Sequence, residues 1–157
     1  MTSNFYINNL LRGFKGYHGV YSCDNIKDIV NPVSGFNFLV LNTSPVSVKT
    51  GHWVLLTLEF IGGQYTGGEL FDSLSLPQTL IPKQIQIFIA RHTANIRYSS
   101  IRIQGLVSSH CGFYVVSRFL SLFNKIEYKN FVSLYSTNYK HNDLICTNFI
   151  KYFKFQI

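Results

Sequence analysis

Four residues of this chain have the types, order and surroundings needed for thiol-based acyl transfer: His52, Asp72, Gln104 and Cys111. Cys111 stands directly before Gly112-Phe113-Tyr114-Val115-Val116, an apolar run that reads as the opening of a buried helix. A free thiol, with an ordinary pKa of about 8.5, must become a thiolate to attack a carbonyl; a helix N-terminus and a neighbouring imidazolium both favour that. The helix start provides the first. His52, at the start of an apolar strand, would provide the second, taking the thiol proton and later giving it to the leaving amine. Asp72, at the end of the next strand, would hold the imidazole tautomer from its other nitrogen. Gln104, just after a later strand, offers a side-chain amide to the developing oxyanion, beside the backbone N–H of Cys111. Each residue alone has an ordinary structural use, so the signal lies in the joint arrangement and its flanks.

The elements that must position these groups follow from the apolar pattern. Strands are predicted over 36–42, 53–60, 68–72 and 95–103. Helices are predicted over 5–11, 82–92, 111–123 and 126–136. The second helix has Pro82 at its first position and Ile85, Phe88, Ile89 and His92 on one face, although Ile85, Ile87 and Ile89 also alternate as in a strand. The Gly-rich stretch 62–68 joins two apolar runs as a hairpin loop does, and it lacks the lysine and hydroxyl of a phosphate cradle. The pattern predicts an α+β fold: a central mixed, mainly antiparallel sheet flanked by helices, with the nucleophile at a helix N-terminus.

Composition narrows the function classes. With 157 residues, 46% hydrophobic and 13% charged, the chain can bury a core, and its even charge distribution predicts a single domain over 1–157. Fourteen basic against seven acidic residues give a net charge of +7, which favours anionic partners. The mean hydropathy of +0.12 raises the question of a membrane span. The longest uncharged run, 29–48, is broken by Asn31, Pro32, Gly35, Asn37, Asn42 and Pro45, so no spanning helix is predicted and no membrane partner. The N-terminus lacks the basic and apolar regions of a secretory signal, so the protein is not expected to be secreted. Cys23, Cys111 and Cys146 are odd in number, widely spaced and without a CxxC pair, which excludes a disulfide scaffold and a zinc ribbon. His18, His92 and His141 have no partners at metal-ligand spacing, so no metal is expected. Cys23 and Cys146 read as structural, Asp24 as a turn cap, and His110 as pointing away from the nucleophile beside it.

The same residues carry a family resemblance. Gly19-Val20-Tyr21-Ser22-Cys23-Asp24 and Phe38-Leu39-Val40-Leu41-Asn42-Thr43 resemble the G-x-Y-x-x-D segment and apolar strand of the adenovirus-type cysteine proteases. Gly51-His52-Trp53 and Leu70-Phe71-Asp72-Ser73-Leu74 resemble that family's histidine and acidic elements. Gln104-Gly105, followed by Ser108-Ser109-His110-Cys111-Gly112, keeps the Gln-to-Cys spacing of seven in the Q-G-x-N-S-x-x-C-G pattern. The match covers roughly residues 19–123, and the wider clan includes the proteases that process SUMO and related modifiers. There are departures: Asp72 stands where adenoviral enzymes carry Glu, and Val107 stands where they carry Asn. No cysteine lies between Cys23 and Cys111 to hold an activator peptide by a disulfide, and the chain is shorter than its adenoviral relatives at the C-terminus.

The resemblance implies a papain-like thiol protease of the adenain type, using Cys111, His52, Asp72 and Gln104. It implies a narrow groove bordered by Gly51, Trp53 and Gly112 that admits Gly-Gly or Gly-x-Gly-like sites of capsid and core precursors. It further implies a monomer of a DNA virus or a virophage-like or polinton-like element, acting in the virion and infected cell, with DNA as a stimulator. Two other readings stand beside it. One is a protease of SUMO-like or ubiquitin-like modifiers, whose tails also end in Gly-Gly. The other is a non-catalytic nucleic-acid-binding virion protein, built on Lys125, Lys129, Lys140, Lys151 and Lys154 interleaved with Tyr128, Tyr135, Tyr139, Tyr152 and Phe153. An ordinary helix burying aromatics beneath solvated lysines explains the same C-terminal pattern.

Overall fold

The computed structural model describes residues 3–154, with side chains through residue 153. The chain runs α1 (Asn4–Leu11), β1 (Tyr17–Ser22), β2 (Gly35–Asn42), β3 (Trp53–Ile61), β4 (Gln64–Phe71), α2 (Lys83–His92), β5 (Ile96–Tyr98), α3 (Cys111–Phe123), α4 (Tyr128–Val132) and α5 (Tyr139–Lys154). The five strands form one mixed sheet in the order β1-β2-β3-β4-β5. Its two long central ladders, β2 with β3 and β3 with β4, are antiparallel, while the edge strands β1 and β5 pair parallel to their neighbours. The β3–β4 hairpin turns at Gly62 and Gly63, whose φ values of 61° and 81° are those of a tight primed turn.

Both faces of the sheet are covered, which is why β2 and β3 read as continuous apolar runs rather than alternating ones. On one face Phe38, Val40, Trp53, Leu55 and Phe71 pack against α3, with α1 and α5 beyond it. On the other, Leu39, Leu41, Val54, Leu56 and Leu70 meet Ile85, Phe88 and Ile89 of α2. These contacts make α2 a helix despite its alternating isoleucines, since Ile85 and Ile89 are buried together while Ile87 is half exposed. Each fully buried branched or aromatic side chain contributes about 1.5–3 kcal/mol through burial. α3 is buried nearly all round, with only Phe113 and Phe123 outside the buried set, as a helix sandwiched between a sheet and other helices must be.

Two expectations need correction. The strand predicted over 95–103 pairs only across Ile96–Tyr98. Beyond it the chain leaves the sheet to wrap the end of β4: Ser99 Oγ accepts the Asp72 N–H, and the N–H groups of Ile103 and Gln104 both donate to the Ser73 carbonyl. The helix predicted over 126–136 is confined to Tyr128–Val132, because the backbone turns after Phe131 and the Ser136 N–H is taken by Asn142 Oδ1. Strand β1 and helix α5 have no counterpart in the predicted elements. Three of the C-terminal aromatics serve the fold: Tyr128 lies under the guanidinium groups of Arg97 and Arg118, Tyr135 packs on Tyr114 and Phe131, and Tyr139 lies under Arg102, while Tyr152 is exposed. Lys125, Lys129, Lys140 and Lys151 are exposed, and the Lys154 side chain lies outside the described residues.

Candidate active site

The β2–β3 ladder continues one step past Trp53, where the Thr43 N–H donates to the His52 carbonyl at 2.8 Å. This bond holds the His52 backbone in line with the sheet. Gly51, just before it, packs so closely on Asn42 that a Cβ would come within 1.9 Å of Asn42 Oδ1. Any side chain at Gly51 would therefore displace the Asn42 and Ser44 side chains beside His52. Asp72 follows the last residue of β4 and is buried, its carboxylate receiving the Leu74 N–H at 2.8 Å on Oδ1 and the Leu76 N–H at 3.0 Å on Oδ2. Cys111 is the first residue of α3, held by the packing of that helix into the core.

These three residues meet. His52 Nε2 donates to Asp72 Oδ1 at 2.5 Å, and the His52 side chain is also hydrogen-bonded to Cys111. The imidazole thus sits between a carboxylate and a thiol, with only 15% of its side chain exposed. Burial alone would lower the His52 pKa, but the hydrogen bonds and charges of Asp72 and Cys111 outweigh it and raise the value to about 9. Burial pushes the Cys111 thiol up, yet the His52 hydrogen bond, the Trp53 and Gly112 backbone amides and the imidazolium charge bring it below its ordinary value. Asp72, against the cost of burial, is held below the usual carboxylate range by His52 and by the Leu74 and Leu76 amides. Together these shifts favour a thiolate–imidazolium pair over the neutral thiol and imidazole, beside an ionised carboxylate.

Gln104 is buried and makes no hydrogen bond to these three among the described residues. It joins them through the chain next to Asp72: Ser73 Oγ donates to Gln104 Oε1 at 2.5 Å, and Gln104 Nε2 donates to the Ser108 carbonyl at 2.8 Å. It does not follow directly on a strand, since β5 ends at Tyr98. Trp53 is largely buried in the core, and Gly51 and Trp53 line a small cavity of about 280 Å³ with Asn42 and Lys49. Gly112 is buried in the first turn of α3, where its N–H donates to the Cys111 sulfur. Val107 is fully exposed, so the position carries no packing contact. His110 turns toward Asp143 of α5, as expected, whereas among the described residues Asp24 caps no turn or helix of its own segment and its Oδ1 accepts the Val46 N–H of a distant loop at 2.9 Å.

Sequence reasoning missed three contributors: the Trp53 backbone amide on the thiol, Ser73 as partner of Gln104, and the anchoring of the Gln104–Cys111 segment by α5. A backbone amide leaves no mark on residue type, and nothing in the sequence ties position 73 to position 104 or 143 to 108. Two larger apolar clefts, of about 630 and 660 Å³, lie between α1, α3 and α5, with none of the four residues in their walls. Among the described residues no group of three or more His, Cys, Asp or Glu is placed to hold a metal ion, and no helix is long and apolar enough to cross a membrane.

No protein-family model matches the sequence, and no curated protein does. The fold does have solved counterparts. The crystal structure of the ASFV pS273R protease superposes with a TM-score of 0.55 over 92% of this chain, at 16% sequence identity. The selenomethionine form of that protease gives 0.52 over 93%, also at 16% identity. A structure of AvrA is similar at 0.49 over 82% of this chain and 53% of its own, at 14% identity. This chain has the fold of the ASFV protease. It spans 65% and 66% of the two ASFV protease chains.

Proposed function

We propose that this chain is a thiol endopeptidase of the adenovirus-type branch, cutting precursor proteins of a DNA virus or virus-like element at Gly-containing sites. The observation that carries the reading is the hydrogen-bonded line from Asp72 through His52 to Cys111, with the thiol at the start of a buried helix. In this mechanism the Cys111 thiolate attacks the scissile carbonyl carbon, and the oxyanion is met by the Cys111 backbone N–H and the second amide proton of Gln104. The His52 imidazolium, steadied by Asp72, then protonates the leaving amine nitrogen, giving a thioester. Water, deprotonated by His52, attacks that thioester, releasing the carboxylate product and restoring the thiol. Gly51 and Trp53 border the groove, which favours glycine beside the scissile bond.

The charge of +7 and the exposed lysines of the C-terminal third support DNA as a stimulating polyanion. The test compares the wild type with Cys111→Ala on a panel of Gly-Gly-X and Gly-X-Gly peptides and on the precursor encoded beside this gene. Cleavage is read by intact mass, with and without DNA at two salt concentrations. Cleavage after a Gly-containing motif, abolished in the variant, is the expected result, with a DNA effect that fades steeply with salt. Cleavage confined to SUMO-like or ubiquitin-like tails would move the substrate class to modifiers. Cleavage that persists in Cys111→Ala would overturn the reading.

A further inference from the structure

Asp143 lies in the first half of α5, far in sequence from the other site residues, yet its carboxylate gathers the segment that leads into Cys111. Ser108 Oγ donates to it at 3.0 Å on Oδ1 and 2.9 Å on Oδ2, and Tyr114 Oη donates to Oδ1 at 2.9 Å. His110 Nδ1 approaches Oδ2 at 3.5 Å. The bonds run on from there. Ser108 Oγ also accepts the His110 N–H at 3.2 Å, and the Ser108 carbonyl is the acceptor for Gln104 Nε2. The neighbouring Asn142 donates to the Ile103 carbonyl at 2.9 Å, and Gly105 packs against Tyr139, where a Cβ would meet the ring-bearing carbon at 3.2 Å. Helix α5 therefore grips the 103–110 segment at both ends, and Asp143 is the one charged member of that grip.

The consequence for chemistry follows from the orientation of an amide. Gln104 donates usefully to an oxyanion only when its NH2 side faces the cleft and its oxygen faces away. Ser73 fixes the oxygen end, and the Ser108 carbonyl fixes one of the two N–H bonds, so the direction of the other depends on where Ser108 sits. Ser108 lies in a loop between the exposed Val107 and Ser109, and its side chain is tethered by Asp143. We propose that Asp143 is a positioning residue for oxyanion stabilisation, acting through Ser108 on the Gln104 amide. The inference rests on the thiol-peptidase reading. Cys111 itself is placed by the core packing of α3, by His52 and by the Trp53 amide, so loss of Asp143 leaves the thiolate in place.

That separation defines the test. Alkylation of Cys111 by iodoacetamide needs only the thiolate, whereas acylation by a peptide also needs the oxyanion donors. In the full-length chain, Asp143→Ala lowers kcat about tenfold, below the roughly 10²–10³-fold lost when an oxyanion donor is removed outright. KM and the alkylation rate stay within about twofold. Asp143→Asn, which keeps Oδ1 as an acceptor, recovers part of the loss. Ser108→Ala gives the same signature as Asp143→Ala, and the double variant loses no more than either single one. An unchanged kcat in Asp143→Ala, a parallel fall of alkylation and kcat, or fully additive losses would overturn the proposal. Should the wild type cleave no peptide, the peptidase reading falls, and the Gln104 side-chain amide resonance, assigned from its loss in Gln104→Ala, judges the positioning on its own. A shift of that resonance in Asp143→Ala upholds it, and an unmoved resonance sinks it.

Discussion

Two polar clusters tie α3 to the end of β4 in this molecule, and they behave in opposite ways. At the helix N-terminus, Cys111 meets His52 and, through it, Asp72. Two turns further on, Arg118 meets Glu69 with two hydrogen bonds, Nε to Oε1 at 2.9 Å and a terminal nitrogen to Oε2 at 2.8 Å. Arg118 is fully buried, its remaining donors go to Ser121 and the Ile126 carbonyl, and the rings of Tyr128 and Phe131 lie over its guanidinium. Arg97 adds a second cation to Glu69 from the surface. Every charge there is matched by an opposite charge or a hydrogen-bond partner held in fixed geometry. The Cys111 cluster, which is also largely buried, instead pairs two titratable groups whose pKa values are shifted in opposite directions, the thiol down and the imidazole up. On the proposed function, what separates the reactive ion pair from the structural one is the availability of a proton to move, rather than burial or pairing.

The sharpest break in that comparison comes from Asp72→Asn. It removes the charge that holds the imidazolium and presents an amide that disfavours the required tautomer, so peptide turnover falls about 10³-fold or more. Circular dichroism should show an intact fold; turnover within tenfold of wild type would mean that Asp72 does not orient His52. The Arg118 cluster should answer through stability instead. Arg118→Ala leaves Glu69 buried with only the peripheral Arg97 and costs about 3 kcal/mol in denaturant unfolding, while Cys111 alkylation per folded molecule is unchanged. The double replacement of Glu69 and Arg118 by Met recovers most of that loss; a double variant as unstable as the single one would contradict the reading of this pair as a replaceable structural tie.

The smallest effect is the most diagnostic of the proton. Cys111 ionises below its ordinary value and His52 holds its proton to about 9, so the ion pair is populated between the two. As pH rises through about 9 the imidazolium is lost, and acylation, which needs that proton for the leaving amine, falls about tenfold per unit. Alkylation persists across the same range because the thiolate remains. As pH falls through the lowered Cys111 value, both decline together. Coincident alkaline limbs for the two reactions would rule out His52 as the acid.

Much of this was legible in the sequence, and for a definite reason. Gly51-His52-Trp53, Leu70-Phe71-Asp72 and Cys111-Gly112 each place a candidate site residue at the end of an element whose apolar pattern is strong, so the element and its terminus are read together. The buried faces of β2, β3 and α3 declared themselves the same way. Strand β1 did not, because Tyr17-His18-Gly19-Val20-Tyr21-Ser22 is only half-buried along its whole length and carries no period. The segment 99–110 was misread as partly strand because its alternating Ser99-Ser100-Ile101-Arg102-Ile103 serves a turn around Ser73 rather than a ladder. Helix α5 was hidden by its composition, in which aromatics and lysines suited nucleic-acid contact as well as packing.

Residue type and local pattern, then, determined by themselves which groups could react and which elements would carry them, because ionisation chemistry and apolar periodicity are local properties. What only the tertiary structure decided is which groups stand together: the meeting of His52, Asp72 and Cys111, the Trp53 amide on the sulfur, the orientation of Gln104 by Ser73 and Ser108, and the hold of Asp143 on that segment. Those depend on how far the chain turns between elements, and on backbone groups that every residue shares, neither of which is written in the identity of any single residue.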